Sequence, residues 1–355
     1  MGGAVTILLG GVTGIGFVGG WAALKLLFDR DPGASRPREL EAAEAVEAAA
    51  FVEAGGEVWA RTSEEARRRQ FAEAEREKAE PVVQLGVSTG ILAARGDFFA
   101  PSTDLPMSLS RLDLRTHLLV LGGTGSGKTS GILRPIARQV ADWKDTGLLV
   151  LDGKGGLPKE LAGLPGMTVI DPAAVKISLV KGLAPDALVA TLVDVVEPPG
   201  SGNQEPFWRN GGQALLRHAA VLAKAAGGAF WNLQSVACLG TNATLRQQVL
   251  QAITDAQVTA DPTLAVAVEY FQYDWKEMDE RTRGGIATTA QTWISAVTAH
   301  PDLLAWARAT PDEDEVPLES VLQGGRFGLL LPAYRYANAG ALVTAILKAR
   351  VYAAL

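Results

Sequence analysis

Short apolar runs that end in glycine or in an acidic residue recur through the chain. Residues 118–121 (LLVL), Gly147–Asp152 (GLLVLD) and Met167–Ile170 (MTVI) have the length and composition of buried strands, and residues 326–332 (RFGLLLP) form a fourth such run. A helical pattern follows the first run, so strands alternate with helices. This alternation predicts an α/β fold with a mostly parallel sheet that carries helices on both faces.

Between the third and fourth runs, the pattern becomes helical. A long amphipathic helix is predicted at Pro206–Ala226, and further helices are predicted over 243–256 and 264–292. We therefore predict an all-α insertion at 186–300 that interrupts the sheet. An alanine-rich helix at 340–355 follows the last strand.

The N-terminal segment is a candidate for a membrane-spanning helix. No charged side chain occurs before Lys25, and a helix of this length crosses the hydrocarbon core of a bilayer. Glycines at four-residue spacing within the run are typical of closely packed transmembrane helices. A secretory signal peptide or a buried helix would explain the same run, although no basic residue precedes it. We predict a single span at 1–28 and, because basic residues follow it, a cytoplasmic position for the bulk of the chain.

Residues 29–81 are rich in alanine, glutamate and arginine and are predicted to form a solvated helical stalk. A helix that binds a partner protein is the alternative. Pro81 ends the segment, and the shorter apolar runs between 82 and 115 predict a hairpin packed on the α/β domain that follows.

The overall charge of the protein gives no general attraction to nucleic acid. The formal net charge is −6 at pH 7, so contact with DNA requires a local surface or a pore formed by several subunits. Cys238 is the only cysteine, and the three histidines lie far apart in the sequence. These counts exclude an intramolecular disulfide framework and give no support for a zinc site or a Ser/His/Asp triad.

Residues 117–129, HLLVLGGTGSGKT, carry the clearest chemical signature. They match the pattern G-x-x-x-x-G-K-[ST], in which glycines let backbone N–H groups surround a phosphate chain. In this pattern Lys128 reaches the outer phosphates and the hydroxyl of Thr129 ligates Mg²⁺, so we assign both residues a catalytic role. The helix that follows directs its positive dipole end at the same anion. The alternative interpretation of the segment is a purely structural glycine turn. The predicted nucleotide-binding residues are Gly122, Gly123, Thr124, Gly125, Ser126, Gly127, Lys128, Thr129 and Ser130.

An acidic residue, Asp152, ends the strand that comes directly after the predicted P-loop helix, and Lys154 follows it closely. Direct organisation of Mg²⁺ by Asp152 is one interpretation of this position. Many P-loop motors place the magnesium-organising acid on a later strand. The other interpretation is therefore that Asp152 and Lys154 support the site from behind without touching the metal ion.

Two charged segments in the second half of the chain have less specific patterns. In the cluster ERTR before Gly284, Arg281 or Arg283 is a candidate for an arginine that reaches the phosphates bound by a neighbouring subunit. A solvated turn of helix explains the same cluster. Residues 312–315 (DEDE) are predicted to be a surface acidic run, because they show no metal-ligand spacing.

Several of these segments together resemble one family, the type IV coupling proteins of conjugation and type IV secretion (TraG/TraD-like), in the FtsK/HerA group of P-loop motors. GGTGSGKTSG resembles the phosphate loop of that family, and LLVLDGKGG is similar to its D-x-K-G segment, with Asp152 and Lys154 at the matching positions. The end of a strand in that family resembles TVIDP, and the start of the helix that enters its helical domain resembles PFW. The helix that leads back from that domain resembles RTRGGIATTAQTWISAVTA. The resemblance covers about residues 82–355.

The resemblance implies a P-loop (RecA/FtsK-like) fold and an activity. In such a protein, ATP and Mg²⁺ bind at the boundary between subunits, and a homo-hexamer draws DNA through a central channel without sequence preference. The implied partners are a relaxase–DNA complex and the components of a type IV secretion channel. The implied location is the bacterial inner membrane.

The family's later strand that ends in Asp-Glu, the Walker B strand, does not occur in this sequence. Pro332, Ala333 and Tyr334 follow the apolar run of residues 329–331. By the resemblance, the magnesium-organising aspartate and the water-activating glutamate are expected beyond Leu355, in a chain that is truncated here. The competing hypotheses are a nucleotide-binding remnant or scaffold subunit without turnover, and a small-molecule or nucleotide kinase.

The predicted organisation of the chain follows from these patterns and from the resemblance. It has five segments: a transmembrane anchor at 1–28, a helical stalk at 29–81, the first part of a nucleotide-binding domain at 82–185, an all-α insertion at 186–300, and the truncated continuation of the nucleotide-binding domain at 301–355.

Overall fold

The computed structural model describes residues 5–10, 82–94, 103–111, 113–115, 118–121, 123, 125–197 and 205–355. The chain forms two compact units, one of Met1–Ile15 with Thr124–Leu355 and the other of Gly16–Gly123. The stalk predicted at 29–81 lies outside the described residues.

The described residues form six strands and a larger set of helices. The strands are β1 (Val5–Gly10), β2 (Val82–Val87), β3 (Pro106–Ser110), β4 (Gly147–Asp152), β5 (Met167–Ile170) and β6 (Arg326–Leu329). The α-helices are α1 (Ile91–Ala94), α2 (Arg134–Ala141), α3 (Gly156–Leu161), α4 (Pro185–Val196), α5 (Pro206–Ala226), α6 (Leu233–Cys238), α7 (Ala243–Ala252), α8 (Asp255–Ala260), α9 (Pro262–Glu269), α10 (Trp275–Glu277), α11 (Glu280–Thr298), α12 (Pro301–Arg308) and α13 (Ala333–Ala353). There are 3₁₀ turns at Asp113–Arg115, Gly228–Phe230, Pro311–Glu313 and Leu318–Gln323, and π-helical turns at Lys128–Leu133 and Tyr270–Asp274.

A four-stranded parallel sheet with the strand order β1-β4-β6-β5 lies in the first unit. β4 is paired on both sides, with β1 along one edge and with β6 along the other. Its residues from Leu148 to Leu151 are all buried. A continuous apolar run of this kind is typical of a parallel strand that helices cover on both faces. The predicted parallel sheet with flanking helices is therefore confirmed.

The second unit contains an antiparallel pair of strands, β2 and β3. The register of the pair shifts between Gln84 and Gly86, and Gly86 has a φ of 137°. Such a φ is accessible to glycine and strained for other residues, so the irregularity lies where the sequence tolerates it. An antiparallel pair is present after Pro81, as the predicted hairpin requires. The apolar run at residues 90–94 (GILAA), predicted to be strand-like, instead contains the helix α1.

The strand predicted at residues 118–121 is wrong. These residues form no strand, and Leu118, Leu119 and Leu121 are exposed, Leu119 to 78%. β1 pairs with β4 in the sheet instead. Both segments are short aliphatic runs followed by two glycines, VTILLGG and LLVLGG, so the sequence pattern alone does not decide which of them pairs with β4.

The transmembrane helix predicted at 1–28 is contradicted over Val5–Gly10, because these residues form β1. The other residues of the predicted span lie outside the described part of the chain. Absence of charge satisfies the hydropathy criterion for a span, but β-branched residues in a short run also favour a strand. Among the described residues, no helix combines the length and the apolar character that crossing a membrane requires.

The helices from α4 to α12 lie between β5 and β6 in the chain and pack around large aromatic side chains. Trp275, Trp293 and Trp306 are fully buried. α5 and α11 approach each other closely at a glycine, since a Cβ atom on Gly212 would lie 3.0 Å from the ring of Trp293. These helices share one apolar core with α13 and with the sheet strands β4, β5 and β6. The helical insertion is therefore packed firmly on the sheet.

Candidate nucleotide-binding site

Left-handed glycines shape the loop that the sequence predicts to bind phosphate. Gly125 has a φ of 80° and Gly127 a φ of 84°, with Ser126 between them. This conformation suits glycine, and its repetition on either side of Ser126 gives the loop a tight turn. A Cβ atom on Gly125 would meet no atom of the described residues within 4 Å. Gly122 and Thr124 lie outside the described residues.

The helix after the loop begins with a π-helical turn. Lys128–Leu133 form this turn with Gly127 as the N-cap residue, and α2 continues from it. The N–H of Gly131 donates to the carbonyl of Gly127 at 2.6 Å, and the hydroxyl of Ser130 donates to the same carbonyl at 3.3 Å. Turns of this kind within helices occur frequently at functional sites. The predicted P-loop helix is present, with a wider first turn than an α-helix has.

The predicted ligand-binding side chains stand at the surface. Lys128 is half-buried, whereas Thr129 and Ser130 are exposed. The π-helical turn contacts β1, and Gly10 at the end of β1 is paired with Asp152 at the end of β4. Ligands of parallel α/β sheets bind outside the carboxyl ends of the strands, which is where this turn begins.

Asp152 is held by backbone N–H groups. Its Oδ1 accepts a hydrogen bond from the N–H of Lys154 at 3.0 Å, and its Oδ2 accepts one from the N–H of Leu157 at 2.9 Å. Gly155 between them is left-handed, with a φ of 70°. Both carboxylate oxygens therefore fix the turn and the start of α3, while the side chain of Lys154 is exposed. This arrangement is the geometry of a carboxylate that shapes a loop.

The turn after β4 is fastened to the start of α13. The N–H of Ala333 donates to the carbonyl of Gly153 at 2.7 Å. A Cβ atom on Gly155 would lie 3.0 Å from Pro332, so only a glycine fits closely there. The D-x-K-G turn and the first residues of α13 thus form one joined structure at the carboxyl edge of the sheet.

The two candidate arginines have different surroundings. Arg283 donates to the carbonyl of Trp275 at 3.4 Å, within the helical insertion. Burial, and after it the charge of Arg283, lowers the pKa of Arg246. Arg281 is exposed near the start of α11, where Asp279 caps the helix by accepting from the N–H of Thr282. Both arginines lie in the helical insertion rather than beside the loop of the same chain.

Sequence reasoning missed a second polar cluster at the carboxyl edge of the sheet. Asp302 accepts from Arg335 at 2.5 Å and from the hydroxyl of Tyr336 at 3.2 Å, and the ring of His300 lies 4.7 Å from that of Tyr336. Burial raises the pKa of Tyr336 to about 12, with Asp302 and Asp171 acting in the same direction. The signal in the sequence was the segment PAYRYAN directly after a strand.

No cluster of three or more histidine, cysteine, aspartate or glutamate side chains is placed to hold a metal ion in the part of the chain that the structure describes. The hydroxyl that the P-loop pattern offers to Mg²⁺, that of Thr129, is exposed at the first turn of the helix.

Comparisons with known proteins return conjugative coupling proteins. The chain is similar to the bacterial conjugative coupling protein TrwBdeltaN70 in complex with sulphate, with 17% identity, a TM-score of 0.41, and coverage of 64% of this chain and 49% of that one. It is also similar to the plasmid coupling protein TrwB in complex with ADP and Mg²⁺, with 21% identity, a TM-score of 0.38, and coverage of 63% and 51%. A third match is TrwB with a non-hydrolysable ATP analogue, with 20% identity, a TM-score of 0.36, and coverage of 58% and 45%.

The chain spans about half the length of the solved structures that it matches. No family model and no curated protein matches it. The resemblance to coupling proteins that the sequence motifs indicate is thus confirmed as a likeness to solved structures of such proteins. Identities and scores of this size carry no argument on function, which has to come from the site itself.

Proposed function

We propose that this chain binds ATP with Mg²⁺ at its glycine-rich loop and forms the nucleotide-binding part of a coupling protein for conjugation or type IV secretion. The observation that carries the nucleotide proposal is the pair of left-handed glycines, Gly125 and Gly127, directly before a helix that starts with Lys128. This geometry supports the proposal, because a glycine turn directly before a helix N-terminus offers backbone N–H groups and a positive dipole end to an anion.

The chemistry that these residues supply is electrostatic. The backbone N–H groups of the loop hold the phosphate chain, and the ammonium group of Lys128 approaches the outer phosphates, where charge accumulates during transfer to water. The hydroxyl of Thr129 is the proposed ligand of Mg²⁺, which neutralises part of that charge when bound. Residues 122–130 form the proposed contact surface.

We propose a supporting role for Asp152. Both of its carboxylate oxygens accept from backbone N–H groups, so its side chain shapes the turn beside the loop. Lys154 lies exposed on the same turn and is proposed to support the site in the same way. Arg281, exposed at the start of α11, is the better placed of the two arginines to reach a neighbouring subunit, since Arg283 already contacts the insertion's own backbone.

The wider activity is proposed from the motifs. By the resemblance, we propose that ATP is hydrolysed in a ring of six copies at the inner membrane, which moves DNA by contacts to its phosphates. The proposed partners are a relaxase–DNA complex and a type IV secretion channel. Contacts to phosphates are independent of sequence and weaken strongly with salt. The alternative is a scaffold subunit that binds nucleotide without turnover. It remains the alternative because no apolar run of this sequence ends in Asp-Glu.

Titration with a fluorescent ATP analogue in the presence of Mg²⁺ tests nucleotide binding. Lys128→Ala should weaken binding about tenfold or more, because it removes the cation that contacts the outer phosphates. Lys159→Ala is the matched control, since Lys159 is an exposed lysine on α3 and should leave binding unchanged. Equal weakening in both variants, or no binding by the unmodified chain, would contradict the proposal.

Steady-state release of phosphate from ATP, with and without DNA, then separates the two wider proposals. Hydrolysis that DNA stimulates and that Lys128→Ala abolishes supports the motor. Binding of nucleotide with no hydrolysis under either condition supports the scaffold subunit.

A further inference from the structure

Two segments connect the helical insertion to the sheet, and they run side by side. Residues 171–184 lead from β5 into α4, and residues 309–325 lead from α12 back to β6. The N–H of Glu315 donates to the carbonyl of Lys176 at 3.0 Å, and the N–H of Lys176 donates to Oε2 of Glu315 at 2.7 Å. The two connections are therefore joined to each other at the base of the insertion.

A buried charge cluster lies where these connections meet α13. We define it as Lys181, Asp314, Glu319 and Arg350. The side chains of Asp314 and Arg350 are both fully buried and form an ion pair at 2.7 Å. Nζ of Lys181 lies 3.2 Å from Asp314, and the guanidinium of Arg350 also bonds Glu319 at 2.5 Å. The prediction of a surface acidic run at 312–315 is thus wrong at Asp314.

Arg350 connects both segments to α13 at once. One of its terminal nitrogens donates to the carbonyl of Ser178, on the segment that enters the insertion. The other bonds Asp314 and Glu319, on the segment that leaves it. Two acids and two bases balance the charge of the cluster. Arg350 therefore fixes the base of the insertion to one point of α13.

Such a cluster is a poor source of net stability. Removing two charges from water costs about as much as their attraction returns, and apolar side chains of similar size would often hold the same surfaces as firmly. Ion pairs with directional hydrogen bonds differ from apolar contacts in fixing one relative position of their elements. The cluster is thus suited to holding the insertion in register with α13.

The other end of α13 is bonded to the turn that carries Asp152. Ala333 at its start bonds Gly153 on the turn that Asp152 shapes, and Arg350 follows 17 positions later. The helix is interrupted at Ala337, whose φ of 41° and ψ of −126° are not helical. From that break to Arg350 it is a continuous rod.

We propose that α13 is a mechanical link that transmits nucleotide-dependent displacement of the Asp152 turn to the helical insertion through the cluster of Lys181, Asp314, Glu319 and Arg350. The proposal rests on the proposed function, because nucleotide must bind at the loop for the turn to respond. Packed elements with discrete arrangements carry such coupling. α13 is bonded at Ala333 to the Asp152 turn and at Arg350 to both connections of the insertion, so it is an element that both sites share.

Hydrogen–deuterium exchange with and without ADP and Mg²⁺ tests the link. In the unmodified chain, nucleotide should change exchange both in the loop and α2 and in the insertion helices α5 and α11. Asp314→Asn keeps the shape of the side chain and removes its charge. It should preserve the response of the loop and reduce that of the insertion by half or more. Glu313→Gln is the control, because Glu313 forms an exposed pair with Lys176 at 3.2 Å and should leave both responses unchanged.

Each outcome decides the matter. An insertion response in Asp314→Asn equal to that of the unmodified chain overturns the link, as does a loop response without any insertion response in the unmodified chain. Absence of a response in the loop itself overturns the proposed function and the link together. If circular dichroism shows Asp314→Asn to be unfolded, Lys181→Ala takes its place. That variant removes the partly exposed partner of Asp314, and the same two outcomes apply to it.

Discussion

Individual residues in this protein are constrained most strongly where backbone meets backbone. A Cβ atom on Gly147, at the start of β4, would lie 1.7 Å from the carbonyl oxygen of Val321. A main-chain oxygen cannot rotate away as the end of a side chain can. Sequence analysis placed Gly147 in the strand correctly, but the partner that makes glycine necessary lies on a distant turn and has no signature in the sequence.

We expect Gly147→Ala to lower the free energy of unfolding by about 3 kcal/mol or more, because the added methyl group forces the Leu318–Gln323 turn away from β4. Urea denaturation followed by circular dichroism measures the change. Gly163→Ala is the matched control, since a Cβ atom there would meet nothing within 4 Å. A loss in Gly147→Ala no larger than in the control would show that the turn moves freely.

A second residue-scale prediction concerns pH. Burial, and after it the charge of Arg217, lowers the pKa of His218, whose ring stacks on that of Tyr270 at 4.3 Å. On acidification, His218 therefore takes up a proton at a higher pH in the unfolded chain than in the folded chain. The folded state keeps its full stability at pH values above the ordinary histidine pKa, where His218 is neutral in both states. Stability is lost as the pH falls below that value.

Melting temperatures at about pH 7.5 and about pH 5.5 test whether protonation of His218 destabilises the folded protein. The unmodified protein should lose more stability on acidification than His218→Gln, which has no group to protonate. Equal losses in the two proteins would place the pH dependence elsewhere.

At the scale of elements, the sequence predicts best the strands that are apolar throughout. β4 has the bounds expected from GLLVLD, because burial on both faces leaves a continuous apolar run. β5 also has the bounds expected from MTVI, although Ile170 alone of its four residues is buried. The run at 118–121 has the same composition and forms no strand, while Val5–Gly10 does. Which strand pairs with β4 depends on the tertiary structure, so the sequence pattern alone cannot distinguish between two similar apolar runs.

The break in α13 gives the prediction at this scale. Ala337 adopts a positive φ, which costs a residue with a Cβ atom about 1 kcal/mol or more. Ala337→Gly should therefore raise the free energy of unfolding by about 1 kcal/mol. The exposed, helical Ala341 is the control, where the same change should lower it by about 1 kcal/mol. Thermal unfolding of both variants measures the two changes in the free energy of unfolding. A loss of stability in both variants would contradict backbone strain at Ala337.

For the whole molecule, local sequence patterns predicted the class of fold and the position of the glycine-rich loop. They could not predict ion pairs between residues that are far apart in the sequence. The loop could be predicted because its chemistry lies in consecutive residues, from Gly122 to Ser130. Asp314 could not be recognised as buried, since its partner Arg350 lies 36 residues away on another element. The hydrogen bonds of Asp302 with Arg335 and Tyr336 could not be predicted for the same reason, because these residues also lie on different elements.

The order of the strands also determines when the sheet can be completed during synthesis. β6 lies between β4 and β5, and the edge strand β5 pairs with β6. β6, however, leaves the ribosome only after all helices of the insertion have been made. Until then β5 has no neighbour in the sheet and β4 has one open side, so the nascent chain carries exposed strand edges for the time needed to synthesise the insertion. We therefore expect association through these edges to be greatest at that stage of synthesis.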